Sequence, residues 1–106
     1  MAVTEERVFI AGAGPVGMTA AARLLGSGVP VTVFESGDNL STESRASTFH
    51  PSTLDMLEEL GAIEGLESQG IRARYLQYRS KSEGILGRFD FDGIADLTRH
   101  PYRLQC

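Results

Sequence analysis

Arg7-Val8-Phe9-Ile10-Ala11-Gly12-Ala13-Gly14-Pro15-Val16-Gly17 is the stretch that decides how this chain folds. Val8 to Ala11 is a short apolar run with a β-branched bias, the make-up of a buried parallel strand. It stops at Gly12. From Gly14 to Leu25 the period becomes helical, with Gly17, Ala21, Leu24 and Leu25 on one face. Gly26-Ser27-Gly28 ends that helix. Val31 to Glu35 is a second β-rich run. Strand, helix and strand within roughly 30 residues predict a βαβ unit with two parallel strands.

Between the first strand and the helix the spacing is G-x-G-x-x-G, and each glycine has a physical task there. Gly12 permits a tight turn off the strand. Gly14 leaves the backbone open to a diphosphate. Gly17 lets the helix pack closely on the sheet. The helix N-terminus then offers free N–H groups and the positive end of its dipole. Pro15 is compatible, because a first-turn residue has no intrahelical donor duty. Glu35 ends the second strand, 18 residues after Gly17. A carboxylate there accepts hydrogen bonds from both ribose hydroxyls of an adenosine and repels a 2′-phosphate. Either FAD or NAD satisfies this much of the pattern, and a loop without ligand is the plain alternative.

Outward from this unit, Ser36 to Thr48 is polar and reads as a loop, with Gly37, Asp38 and Asn39 as turn formers. Pro51 suits the first position of a second helix carrying Leu54, Leu57 and Leu60, with Gly61 beyond its end. Ala62 to Gln69 reads as a shorter helix. Ile71 to Ser80 reads as one strand, Lys81 to Gly84 as a turn, and Ile85 to Phe91 as its antiparallel partner.

The chain has 106 residues, 42% hydrophobic and 23% charged, which describes one ordinary globular domain or part of one. No apolar run approaches the ~20 residues of a membrane span. The first residues lack the basic and apolar regions of a secretory signal. Cys106 is the only cysteine, and His50 and His100 are far apart, each before a proline, so no metal-type cluster can be written. The expected compartment is the cytoplasm. A net charge of −4 argues against nucleic acid as the main partner. Residues 1–70 hold three basic against ten acidic side chains, and residues 71–106 seven against four. Chance variation over solvated surfaces is one reading of that shift; the other is that two structural units meet near residue 70.

Arg45-Ala46-Ser47-Thr48 leads into His50-Pro51-Ser52-Thr53-Leu54-Asp55-Met56-Leu57-Glu58-Glu59-Leu60-Gly61. With the glycine loop and terminal acid, this block resembles the FAD-dependent aromatic hydroxylases, the group A flavoprotein monooxygenases of the para-hydroxybenzoate hydroxylase type. Gly87-Arg88-Phe89-Asp90-Phe91 and His100-Pro101-Tyr102-Arg103-Leu104-Gln105 resemble them too. The likeness runs over nearly the whole chain. It implies an α/β fold: a Rossmann-like βαβ FAD-binding unit, then helices and a β-hairpin that begins a substrate-domain sheet.

The resemblance implies that residues 1–70 belong to the FAD-binding domain, 71–99 start the substrate-side sheet, and 100–106 return toward the FAD domain. Gly12, Ala13, Gly14, Pro15, Val16 and Gly17 would surround the pyrophosphate. Glu35 would hold the adenosine ribose, beside Ser36, which stands where family members often carry a basic residue. Arg45 would reach the phosphate or ribityl part, where a planar guanidinium pairs bidentately with phosphate oxygens. In such proteins NADH or NADPH reduces FAD, and O2 supplies one oxygen to an aromatic substrate; the cofactor carries that chemistry. Family members are several times longer, so the chain reads as an N-terminal fragment, inactive by itself. No residue of the chain stands out as a catalytic acid or base. His50 reads as a residue starting a helix, and Tyr75, Tyr78 and Tyr102 as packing tyrosines. Two other readings remain open: an NAD-binding oxidoreductase segment, and a non-catalytic βαβ module acting through assembly with another chain. The substrate, the hydride donor and the oligomeric state are not legible.

Overall fold

The computed structural model describes residues 6–43 and 46–106. The chain divides into two compact units, Met1–Glu43 and Ser44–Cys106.

In the first unit, β1 (Val8–Ala11) and β2 (Val31–Phe34) are parallel neighbours, with Val8 opposite Val31 and Ala11 opposite Phe34. Helix α1 (Pro15–Gly26) connects them, as the spacing requires. Pro15 occupies its first turn. Its far end closes in the double hydrogen-bond pattern of a glycine-terminated helix. Gly28 takes φ +78° and donates to Leu25 O at 3.0 Å, and Val29 donates to Leu24 O at 2.9 Å. Ala21 is buried, whereas Leu25, expected on the same face, is 58% exposed. Leu25 lies about 100° around the helix from Leu24, so one flank of the stripe turns to solvent. Phe9 and Phe34 also stay exposed and touch each other, ring centres 5.8 Å apart.

The second unit opens with β3 (Thr48–Phe49), two residues long, at the end of the stretch read as loop. Helices α2 (Pro51–Glu59) and α3 (Ile63–Glu67) follow. His50 caps α2 with extended backbone and no side-chain bond, in line with a residue that starts a helix. Gly61, at φ +72°, donates to Glu58 O while Ala62 donates to Leu57 O, each at 2.9 Å, the same closure as in α1.

The run from Ile71 to Ser80 is two strands, not the single one its pattern suggests. β4 (Ile71–Ala73) pairs antiparallel with β7 (Arg103–Gln105), which also pairs with β3. β5 (Tyr75–Ser80) pairs with β6 (Gly84–Asp90) in the expected hairpin, with an irregularity between Tyr78 and Arg79. Arg74 is the switch between them. Its guanidinium makes a bidentate pair with Asp90, 2.9 and 3.0 Å, and its carbonyl accepts from Phe91 N at 3.0 Å. Residues Phe91–Ile94 then form a 3-10 turn, capped by the Asp90 carboxylate, so β6 stops one residue short of expectation.

Leu54, Ile63, Tyr102 and Leu104 form the core of this unit, with Phe49 and Leu66 packed against it. Leu54 and Leu104 are wholly buried. Beside the core, His100 is 7% exposed and its Nδ1 lies 2.6 Å from Asp55 Oδ1. Arg99 N donates to the same oxygen at 3.2 Å. These two bonds tie the segment before β7 to α2. The Tyr102 hydroxyl donates to Glu67, which also pairs with Arg72 at 2.9 Å.

Candidate functional site

The glycine loop has the geometry its sequence asks for. Gly12 sits at φ +104°, a region closed to most side chains, and its N–H donates to Phe34 O at 2.7 Å. This locks the turn onto the end of β2. Gly17 packs against the turn so closely that an added Cβ would lie 2.0 Å from Gly12 O. Only a hydrogen fits at that point, which brings α1 against β1. Gly14 differs: a Cβ there would meet nothing within 4 Å. Its bare face opens to space, not to protein.

Gly14 is the N-cap of α1 and supplies no side-chain cap. The helical hydrogen bonds begin with Met18 N donating to Gly14 O at 2.9 Å. Pro15 has no N–H to offer. The Val16 and Gly17 amides precede the first helical bond and face the end where an anion is favoured. The Val16 side chain is 85% exposed, so its part in the loop is a backbone one.

Two concavities meet at Gly14 and Pro15. One, of about 650 Å3, is bounded by Ala13 and Gly14, by Glu35, and by Gly37 to Ser41. The other, of about 400 Å3, runs along Gly12, Val16, Gly17 and Ala20. A diphosphate suits the bare glycine between them. The donors are backbone amides, a Cβ at Gly14 would enter the open space, and the Glu35 carboxylate lines the same concavity. The residues present fit the adenosine diphosphate half of a dinucleotide.

Both oxygens of Glu35 are engaged. Oε2 accepts from Ala13 N at 2.8 Å and Oε1 from Gly37 N at 2.7 Å. These amides, Ala13 foremost, with a further contribution from Ser36 N–H, hold the carboxyl below the usual glutamate range, outweighing the opposing effect of desolvation. Glu35 is therefore an anion at neutral pH. Ser36 contributes its backbone; its side chain is exposed. Arg45 lies outside the described residues. The structure thus brings Gly12, Ala13, Gly14, Pro15, Val16, Gly17, Glu35 and Ser36 to one place.

Sequence reading missed the other wall of the cavity. Gly37, Asp38 and Asn39 were legible as turn formers, but their place at the cavity's edge depends on how the chain leaves β2. The one available signal was a glycine two residues after the acid, the spacing at which a carboxylate accepts from the backbone ahead of it. Among the described residues no group of His, Cys, Asp and Glu is arranged to hold a metal ion, and no helix is long and apolar enough to cross a membrane.

Residues 5–103 match the family described as FAD binding domain. The chain is 27% identical over 101 residues to para-nitrophenol 4-monooxygenase of Pseudomonas sp. (strain WBC-3), covering 95% of this chain and 25% of that protein. It is 35% identical over 100 residues to 3-amino-4-hydroxybenzoate 2-monooxygenase of Streptomyces cremeus, covering 92% and 25%. The crystal structure of p-nitrophenol 4-monooxygenase PnpA from Pseudomonas putida DLL-E4 superposes with a TM-score of 0.83 at 30% identity, covering 94% of this chain and 25% of that one. The chain thus spans about a quarter of the length of these relatives. A glycine loop left open at Gly14, an acid beyond the second strand, and a match along nearly the whole sequence agree: the chain belongs to the FAD-binding domain family of the flavin-dependent aromatic monooxygenases.

Proposed function

We propose that this chain is the FAD-binding N-terminal segment of an NAD(P)H- and O2-dependent monooxygenase that hydroxylates a small, phenol-like aromatic. The observation that carries this reading is the bare Gly14 backbone between two concavities, with the Glu35 carboxylate held at the edge of one of them by the Ala13 amide. Gly12, Gly14 and Gly17 shape the seat, and the amides of the first helical turn face the pyrophosphate. The two remaining lone-pair directions of Glu35 accept from the ribose hydroxyls. Its negative charge disfavours a 2′-phosphate, which supports FAD over NADP as the resident dinucleotide. Arg45 reaches the phosphate or ribityl part of the cofactor. FAD, when bound, supplies the redox chemistry; these residues bind and orient it.

Residues 1–70 are proposed as the start of the FAD-binding domain, and 71–99 as the start of a substrate-side sheet. Residues 100–106 return toward the FAD domain, a reading supported by β7 lying between β3 and β4. The aromatic substrate class rests on the relatives, whose names specify nitrophenol and aminohydroxybenzoate oxygenation. The exposed Phe9–Phe34 face of a two-stranded parallel sheet supports activity as part of a longer protein, since parallel strands are ordinarily covered on both faces. A cytoplasmic setting is proposed with it. Flavin fluorescence tests the reading: FAD titrated into the full chain gives a saturable change that ADP reverses and NADP does not. A linear response, with the chain folded by circular dichroism, contradicts it.

A further inference from the structure

Glu35 does more than line a cavity; it joins the glycine loop to the segment that begins at Gly37. Ala13, on the glycine-loop side, donates to one of its oxygens, and Gly37, where the opposite side begins, donates to the other. We propose that Glu35 is a positioning residue that assembles the cavity before any ligand arrives, by fastening the glycine loop and the 37–41 segment to a single carboxylate. The 37–41 segment has no strand or helix of its own. Gly37 gives the carboxylate close approach: an added Cβ there would sit 3.3 Å from Glu35 Oε1. Charge-assisted bonds of this kind are about twice as strong as neutral ones, and an ionised carboxylate is acceptor-only, so it serves both donors at once.

The latch has a chemical signature that a ribose contact alone lacks. A glutamine at position 35 offers one carbonyl oxygen and one NH2. The oxygen satisfies one backbone donor; the NH2 opposes the other. Ribose hydroxyls donate and accept, so they pair with either end of an amide. Glu35→Gln therefore breaks the latch while leaving a ribose contact available. That consequence for adenosine rests on the cofactor reading above; the latch itself does not.

The test is a pH titration of the uniformly labelled full chain, without ligand, followed by NMR at the Ala13 and Gly37 amides and the Glu35 side-chain carboxyl carbon. All three curves share one midpoint, below the ordinary glutamate value of about 4.3. Asp38 is the other ionisable residue bordering the cavity. Asp38→Asn leaves the three curves in place, and curves that vanish in that variant assign the response to Asp38 and overturn the latch. Glu35→Gln abolishes the amide titration and speeds hydrogen exchange at Ala13 or Gly37 by about tenfold or more, as loss of a charge-assisted bond implies. Amides that do not titrate, or that follow a midpoint other than that of Glu35, overturn the proposal. A latch that titrates as described, in a chain whose amides ignore added FAD, leaves the latch standing and removes the cofactor reading instead.

Discussion

Alanine at Gly17 and alanine at Gly14 are the same chemical change three residues apart, and the structure gives them opposite consequences. At Gly17 the new Cβ would lie 2.0 Å from Gly12 O, 3.1 Å from Gly12 C and 3.3 Å from Ile10 Cγ2. Real Cβ contacts essentially never fall below 3.0 Å, so α1 and the turn must part by at least about 1 Å. The nearest obstacle is backbone, which cannot rotate away, so the cost falls near the upper end of the 1–3 kcal/mol typical of overpacking, about 3 kcal/mol. Alanine returns about 1 kcal/mol over glycine inside a helix. The net is a loss of about 2 kcal/mol, or roughly 8–16 °C in Tm for a domain of this size. At Gly14 the Cβ meets nothing, and the backbone, φ −74° and ψ −177°, suits any residue. A weaker N-cap costs about 0.5–1 kcal/mol, and the stiffer unfolded chain offsets about 0.4–1 kcal/mol of it. Tm stays within about 4 °C. The methyl group instead enters the space where a diphosphate would lie, and 1–3 kcal/mol of crowding weakens FAD binding roughly five- to 150-fold. Thermal melts by circular dichroism, paired with FAD fluorescence titrations, separate the two variants. Equal melting losses, or a Gly17→Ala chain as stable as its parent, would refute the reasoning.

In the second unit, Asp55→Ala strips the acceptor from the His100 ring and from Arg99 N–H; about 2 kcal/mol should be lost in urea denaturation, and an unchanged midpoint would mean that the pair adds nothing. Leu54→Ala and Leu104→Ala each remove a wholly buried side chain and should cost about 3–5 kcal/mol, measured the same way. Asp55, Glu67 and Asp90 are all held below the ordinary carboxylate range. For Asp55, desolvation is the largest single effect and acts upward, but the bonds from His100, Thr98 and Arg99 together outweigh it; for Glu67 the Tyr102 hydroxyl is the main cause, and for Asp90 the Arg74 guanidinium. The stability they contribute is present above the unfolded values of about 4 and is lost as pH falls through the folded ones, so acid unfolding monitored by near-UV circular dichroism should begin below about pH 4. Tyr102 behaves in the opposite sense: desolvation and the bond to Glu67 push its hydroxyl up from 10.0 to about 12. That contribution is complete below pH 10.0 and is lost toward about 12, and Tyr102→Phe should remove this alkaline phase from a 295 nm titration.

The βαβ unit was legible because its signals are local and mutually consistent. Val8–Ala11, the three glycines and Val31–Phe34 each specify their own backbone, and Glu35 follows from counting. Helix ends were legible for the same reason: Gly28 and Gly61 stop helices by a left-handed backbone that glycine favours. What escaped was set by partners distant in sequence. Nothing in Ile71 to Ser80 says that Ala73 faces Arg103 while Tyr75 faces Asp90, so the division at Arg74 was invisible. β3 and β7 are too short to show a period; β3 is a strand only because β7 lies beside it, and β7 because β3 and β4 flank it. His100 looked like one of two isolated histidines, and its partner stands 45 residues away. At the site, the bond from Ala13 to Glu35 was illegible because a backbone amide 22 residues away leaves no mark in a sequence, and the bond from Gly37 showed only as a glycine two residues after the acid.

The most direct measurement is amide NMR of the full chain during addition of FAD. A cofactor seated on the glycine loop moves the Gly12, Ala13, Gly14, Val16, Gly17 and Gly37 amides together, in a saturable way, and leaves those of β5 and β6 in place. Shifts confined to other segments, or none at millimolar FAD with the spectrum of a folded chain, would contradict it.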